Sequence, residues 1–288
     1  MLIVLGATGN IGREVAKLMI DNAEQAVFLS RQPQKLQPQL NGHLVRAADL
    51  DEPASLERAM AGGTKLLLVS PNSAAMQRQQ SNAIQAALNS GIQHIVKISG
   101  TPKSVRQDSV SAVGRAHWHI EQQLKAQAPA YSILQCNFFM QNLLGLQAGM
   151  VRKSGKITLP FAADTVFRFI NTADIAACAV RLLTDDKVQS QTYNLSGQAS
   201  SFQQLADELS RLLASRVNYK QIPLWLTQLV MRFKGMPKTQ VQHQLEMTRL
   251  YQQGISDDAS DAVQLLTGRP AISLPQFLEQ HLAEFKQQ

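Results

Sequence analysis

Several things are scarce in this chain, and each scarcity closes off a class of protein. It has two cysteines, Cys136 and Cys178, in 288 residues. Two are too few for a disulfide framework, and they read as small buried apolar residues in a reducing compartment. No apolar run approaches the ~18 residues of a membrane-spanning helix. The opening Leu2–Leu5 is too short for the apolar stretch of a secretion signal, and no basic segment precedes it. The expectation is a cytoplasmic protein with no membrane contact. Charged residues are only 17% and apolar residues 44%, which excludes a disordered tail protein. The net charge is +7, yet the basic residues are scattered and not gathered into a stripe with aromatics, so no nucleic-acid partner is expected. Arg232, Lys234 and Lys238 read as a solvated helix end. A basic surface equally suits a small ligand that carries phosphate.

What is present is a regular alternation. Leu2–Leu5 is a continuous apolar run, as in a central strand buried on both faces. Ile11, Val15, Leu18 and Met19 then fall on one side of a helix over Ile11–Ile20. Further strands are expected at 26–29, 43–47, 65–69, 93–98 and 131–134. Helices are expected at 52–60, 73–89 and 111–127. This rhythm means right-handed β-α-β units and a parallel sheet. After Cys136 it changes. A short apolar helix is expected at 138–146, strands at 156–159 and 166–170, a helix at 172–183 capped by Asn171 or Thr172, and a strand at 192–195. From Ser201 the pattern is mainly helical, with a possible strand at 217–222. The fold class is α/β: a Rossmann-like doubly wound parallel sheet with a smaller, mainly helical C-terminal lobe. Residues 1–135, with 166–198 returning, would form the sheet domain. Residues 136–165 and 199–288 would form the lobe, and the apolar segment 224–233 reads as the core of that lobe or a subunit contact.

Gly6-Ala7-Thr8-Gly9-Asn10-Ile11-Gly12 stands between the first strand and the first helix. In this G-x-x-G-x-x-G spacing Gly6 permits the turn, Gly9 admits a pyrophosphate to the backbone, and Gly12 lets helix and strand pack closely. The free N–H groups and partial positive charge of the helix start favour phosphates. A nucleotide P-loop is excluded, because Gly12 is followed by Arg13 rather than by Lys-Ser or Lys-Thr. About 20 residues beyond such a turn, an acidic residue would bind the 2′-hydroxyl of NAD. This chain has Leu29-Ser30-Arg31-Gln32 there, without a carboxylate. Arg31 can pair with a 2′-phosphate, with Arg13 as a helper, so NADP(H) is the expected cofactor; the alternative is a plain surface arginine. Asp49 and Leu50 would hold and cover the adenine, or Asp49 would cap the next helix. Ser70, Pro71 and Ser99 end strands four and five, where ligands bind in this architecture.

The catalytic signature of short-chain dehydrogenases is missing. None of Tyr131, Tyr193, Tyr219 and Tyr251 has a Lys four residues on. The matching helix carries His117 and Glu121 on one face instead. His117 is the candidate catalytic residue, with a pKa range suited to proton donation; its alternative is local packing. His119 points elsewhere, so no metal site is expected. Lys97 lies two residues before Ser99 on the same strand face and must touch the cofactor or find an internal partner. Asn137 and Phe138 open the segment Asn137–Asn142, which reads equally as a pocket wall for nicotinamide and substrate and as core.

In this order, Gly6–Gly12, Ile95-Val96-Lys97-Ile98-Ser99, His117 with Glu121, Asn137–Asn142, Asp174-Ile175-Ala176 and Thr267-Gly268-Arg269-Pro270 resemble the NmrA-like group of atypical short-chain dehydrogenases. The resemblance spans essentially the whole chain. It implies a Rossmann domain for NADP(H), a C-terminal substrate lobe and no Tyr-x-x-x-Lys. Members of that group reduce quinones and dyes with NADPH, or sense the NADP pool without turnover. Gln135-Cys136 and Asn171 depart from the Arg-Pro and Asp found in many relatives. The expected function is reduction of a small planar or apolar acceptor by a monomer or homodimer. The alternative is an NADP(H)-sensing protein without turnover.

Overall fold

The computed structural model describes residues 1–40, 42–187 and 189–286; the last two residues of the expected lobe lie outside these. Its strands are β1 (Leu2–Leu5), β2 (Ala26–Ser30), β3 (Leu44–Ala47), β4 (Lys65–Leu68), β5 (His94–Ser99), β6 (Ala130–Cys136), β7 (Lys156–Leu159), β8 (Phe167–Arg168), β9 (Gln191–Leu195), β10 (Ala199–Ser200) and β11 (Asn218–Gln221). Its helices are α1 (Asn10–Asp21), α2 (Pro33–Leu36), α3 (Pro53–Met60), α4 (Met76–Asn89), α5 (Ala112–Gln127), α6 (Leu146–Ser154), α7 (Thr172–Thr184), α8 (Phe202–Leu213), α9 (Leu224–Phe233), α10 (Lys238–Gln252), α11 (Ala262–Thr267) and α12 (Leu274–Gln280).

Seven strands make one sheet in the order β3-β2-β1-β4-β5-β6-β9, all parallel. The direction of winding reverses between β1 and β4. In such sheets the crevice at this reversal is where ligands bind. Leu5 is level with Leu29 of β2 and with Leu68 of β4. The loops after these three strands therefore emerge side by side. Alternate residues feed two cores. Val4, Phe28, Leu67, Val96 and Leu134 pack with α1 and α7 residues on one face. Ile3, Val27, Leu66, Ile95 and Ile133 pack with α3, α4 and α5 residues on the other. Burial on both faces is why these strands read as unbroken apolar runs.

A third core joins Met140, Leu143, Val151 and Ile157 to Phe202, Leu205, Tyr251, Phe277 and Phe285. Phe167 and Phe169 belong to it, while Ile170 belongs to the sheet core. The expected short strand near 217–222 is β11, which pairs in parallel with β7. The expected helix at 138–146 is instead a 3-10 turn over Met140–Leu144. The chain before it is tied to Ile170, whose N–H donates to the Phe138 carbonyl while the Met140 N–H donates to the Ile170 carbonyl. The Phe138 carbonyl, which in an α-helix starting there would accept from the Asn142 N–H, is taken by this pairing.

Two motifs singled out from the sequence hold each other. Asp174, fully buried on α7, accepts from Arg269 Nη1 at 2.6 Å and from the Ile272 N–H at 2.8 Å. Asn171 caps α7, accepting from the Ala173 N–H, so the departure at this position keeps a good capping residue. The expectation that 224–233 is core fails. No residue of α9 is buried, and Trp225 and Phe233 are 66% and 83% exposed. Both cysteines are free and buried, as expected. No described helix is long and apolar enough to cross a membrane.

Candidate active site

The turn after β1 is shaped by backbone contacts. Gly6 has φ +93°, a conformation L side chains avoid, and a Cβ there would lie 2.5 Å from the Val69 carbonyl oxygen. A Cβ on Gly12 would collide with the Gly6 carbonyl and lie 2.6 Å from Ala7 Cα. Gly12 lines neither cavity described below and acts by close packing behind the loop. Gly9 differs from both. A Cβ on it would meet only the Gly6 oxygen, at an ordinary 3.6 Å. The fold does not need glycine there. Gly9 precedes α1, and no side chain caps that helix. Its free N–H groups and partial positive charge face outward over a position kept clear of a side chain. This is the donor set and the clearance that a pyrophosphate requires.

Two cavities meet at this turn, sharing Gly6, Thr8, Val69 and Pro71. One, of about 540 Å³, contains Arg31, Asp49 and Leu50 together with Ser30 and Lys35. Asp49 Oδ1 accepts from the Asp51 N–H, and α3 starts after Glu52 with no side-chain cap. Asp49 is thus not that helix's cap. Arg13 is tied by Nε to the Thr8 carbonyl and is absent from the Arg31 cavity; Lys35, unnoticed in the sequence, lies there instead. The other cavity, of about 610 Å³, gathers Gly9, Asn10, Ile11, Ser70, Ser99, His117, Asn137 and Phe138. Asn137 is 2% exposed, and its Oδ1 has no partner among the described residues. An unpaired buried acceptor is costly, and Asn137 is among the residues that line this cavity.

Beneath this cavity lies a buried polar cluster. Gly114 lets α5 press onto the turn at Ser104, whose carbonyl a Cβ would strike. One helical turn on, His117 reaches the cavity. Its Nδ1 is 2.9 Å from Lys97 Nζ. Lys97 is fully buried, absent from the cavity lining, and also donates to the Ile98 carbonyl at 2.9 Å. Its partner is internal. Burial pulls the Lys97 pKa down to about 7 against the opposing influence of Glu121. Burial first, and Lys97 second, hold His117 well below its usual value. Burial therefore favours the neutral form of the His117 ring. Glu121 shares its helix face but accepts from Ser99 Oγ at 2.6 Å and from Gln135 Nε2 at 3.0 and 3.1 Å. Ser99 and Gln135 are neighbours in register on β5 and β6. The departure at Gln135 thus places a neutral donor on this carboxyl.

Phe138 stands between the cavity and the lobe core. It lines the cavity and meets Phe167, Phe169 and Tyr251 edge-on at 5.5 to 5.7 Å. His243, Met247 and Tyr251 of α10 complete the wall. The sequence carries no signal for them beyond a helical period. Burial pushes the Tyr251 hydroxyl up to about 12. No cluster of three or more metal-ligating side chains occurs among the described residues.

A Rossmann-like doubly wound sheet with a helical C-terminal region, its loops enclosing a groove at the switch point, defines the class of this protein. The NmrA-like family matches residues 1–268, and the chain belongs to that family. It is 32% identical to an NAD(P)H azoreductase of Xenophilus azovorans, over 99% of both chains. The crystal structure of an NADPH-dependent quinone oxidoreductase from Escherichia coli complexed with NADPH superposes with a TM-score of 0.88 at 26% identity, covering 98% of this chain and 100% of that one. The Citrobacter sp. triphenylmethane reductase complexed with NADP(H) shares the fold, with a TM-score of 0.86 at 24% identity over 97% and 99% of the two chains.

Proposed function

We propose that this protein is an NADPH-dependent reductase of a small planar or apolar acceptor, quinone-like or dye-like. One observation carries the reading. A continuous groove runs from Arg31, past the cleared position over Gly9, to Asn137 and His117. Gly6, Thr8, Gly9, Asn10 and Ile11 would hold the pyrophosphate. Asp49 and Leu50 would hold the adenine, and Arg31 with Lys35 the 2′-phosphate. Ser70, Pro71, Ser99, Asn137 and Phe138 would bound the nicotinamide end. The sheet domain, 1–135 with 166–198, would bind the cofactor, and the remaining segments would shape the acceptor site.

Bound there, NADPH supplies a hydride; positioning and water exclusion are left to the protein. Phe138, Met247 and Tyr251 form the apolar wall for a flat acceptor. His117 is the catalytic residue. Its neutral ring offers a proton to the heteroatom that gains negative charge. The related azoreductase and quinone oxidoreductase support this substrate class. The test is NADPH oxidation with a panel of quinones and azo dyes, with His117→Ala beside the wild type. The expected result is turnover that falls roughly 100-fold in His117→Ala with NADPH affinity unchanged. Tight NADPH binding with no acceptor reduced would refute the reading and favour a sensor.

A further inference from the structure

The buried Lys97 serves no part of the scheme above, and its surroundings give it a specific task. A lysine ammonium has three donors and no acceptor. As an ammonium, Lys97 gives one to the Ile98 carbonyl, and at 2.9 Å it makes His117 Nδ1 the acceptor of another. A ring whose Nδ1 accepts must carry its proton on Nε2. Nε2 makes no hydrogen bond among the described residues, and the ring lines the larger cavity. We propose that Lys97 is the proton source behind His117. As the acceptor gains hydride, His117 Nε2–H is transferred to its heteroatom while Nδ1 takes a proton from the Lys97 ammonium.

The balance is complete. The acceptor is reduced by one hydride and one proton, and the nicotinamide is oxidised. Lys97 is left as a neutral amine and His117 as its other neutral tautomer. No imidazolium forms, which matters because burial makes that ion costly here. When product leaves, a proton from water enters at Nε2 and the Nδ1 proton returns to Lys97. The charged neighbours are few. Glu121 on α5 favours the ammonium, and Lys125 lies 3.6 Å from Glu121 on the solvent side. The Cys136 thiol on β6 is held protonated by burial. A lysine near neutrality can both hold and release a proton at working pH.

This inference rests on the reductase reading and is tested so that the two can fail separately. The first measurement is 15N NMR of the histidines in the NADP-bound protein, which needs no turnover. The wild type is expected to show His117 as the Nε2–H tautomer. Lys97→Met is expected to lose that bias, and Lys97→Arg to keep it. The second is single-turnover reduction of 1,4-naphthoquinone and a carboxylated azobenzene between pH 6 and 9. The wild-type rate should fall as pH rises above neutrality. Lys97→Met should be about 100-fold slower and flat with pH. Lys97→Arg should stay slow, since a guanidinium donates a hydrogen bond but does not surrender its proton. An Nδ1–H tautomer in the wild type overturns the inference, as does a wild-type rate or an unchanged alkaline limb in Lys97→Met. Full rate in Lys97→Arg would reduce Lys97 to a positioning residue and also overturn it. No turnover by the wild type with NADPH bound sinks the reductase reading instead, while the tautomer still reports on Lys97.

Discussion

Gly9 and Gly12 lie three residues apart in one turn, and a single methyl group on each separates their roles. Alanine at Gly12 must place its Cβ against the Gly6 carbonyl and 2.6 Å from Ala7 Cα, both backbone atoms that cannot rotate away. Overpacking of this kind costs about 3 kcal/mol. In a chain of this size that lowers Tm by roughly 6–12 °C. Alanine at Gly9 meets only one protein atom, at 3.6 Å, from a backbone at φ −81° that any residue adopts. A poorer helix cap and a less flexible unfolded chain offset each other, so stability should change by less than ~1 kcal/mol. The added methyl would instead stand in the clear space over Gly9, where the proposed pyrophosphate would lie. Displacing one of its oxygens by even a few tenths of an ångström should cost about 2 kcal/mol, or roughly 30-fold in Kd. Thermal unfolding and calorimetric titration with NADPH measure both quantities. A Gly9→Ala protein that binds NADPH as tightly as the wild type would refute the phosphate-turn reasoning. A Gly12→Ala protein of unchanged Tm would refute the packing argument.

Other outcomes follow from the same geometry. Arg31→Ala should weaken NADPH by roughly tenfold or more, the worth of a charge-assisted hydrogen bond, and leave NADH unchanged; equal losses in titration would remove the 2′-phosphate assignment. His94 is buried against Ser132 Oγ, 3.0 Å from its Nε2, and burial pulls it down from 6.5 to about 4. The unfolded chain binds that proton first as pH falls, so folded stability is present above about 6.5 and is lost progressively toward 4. Urea unfolding across this range should show the loss, and a smaller one in His94→Gln. Phe233→Ser removes a ring that is 83% exposed and should shift stability by less than ~0.5 kcal/mol; a large drop in Tm would mean that α9 is covered.

Much of this molecule is legible in one dimension because the signals are short. Two-face burial makes a strand such as Leu2–Leu5 a continuous apolar run, and one-face burial makes α1 an apolar stripe. The glycine-rich turn occupies seven consecutive residues, and the loops that approach it follow from parallel winding. Apolar character alone is a weaker guide, since α9 is as apolar as a core helix and packs none of its residues inside. The rest depended on distance along the chain. Lys97 and His117 are 20 residues apart and Asp174 and Arg269 are 95 apart, yet each pair is bonded. Tyr251 reaches the cavity from α10, more than 100 residues beyond Asn137. Periodicity assigns a residue to a face; only folding decides what that face meets. Desolvation follows from the meeting, and it is desolvation that drew the lysine down to about 7 and holds the histidine well below its usual value beneath the groove.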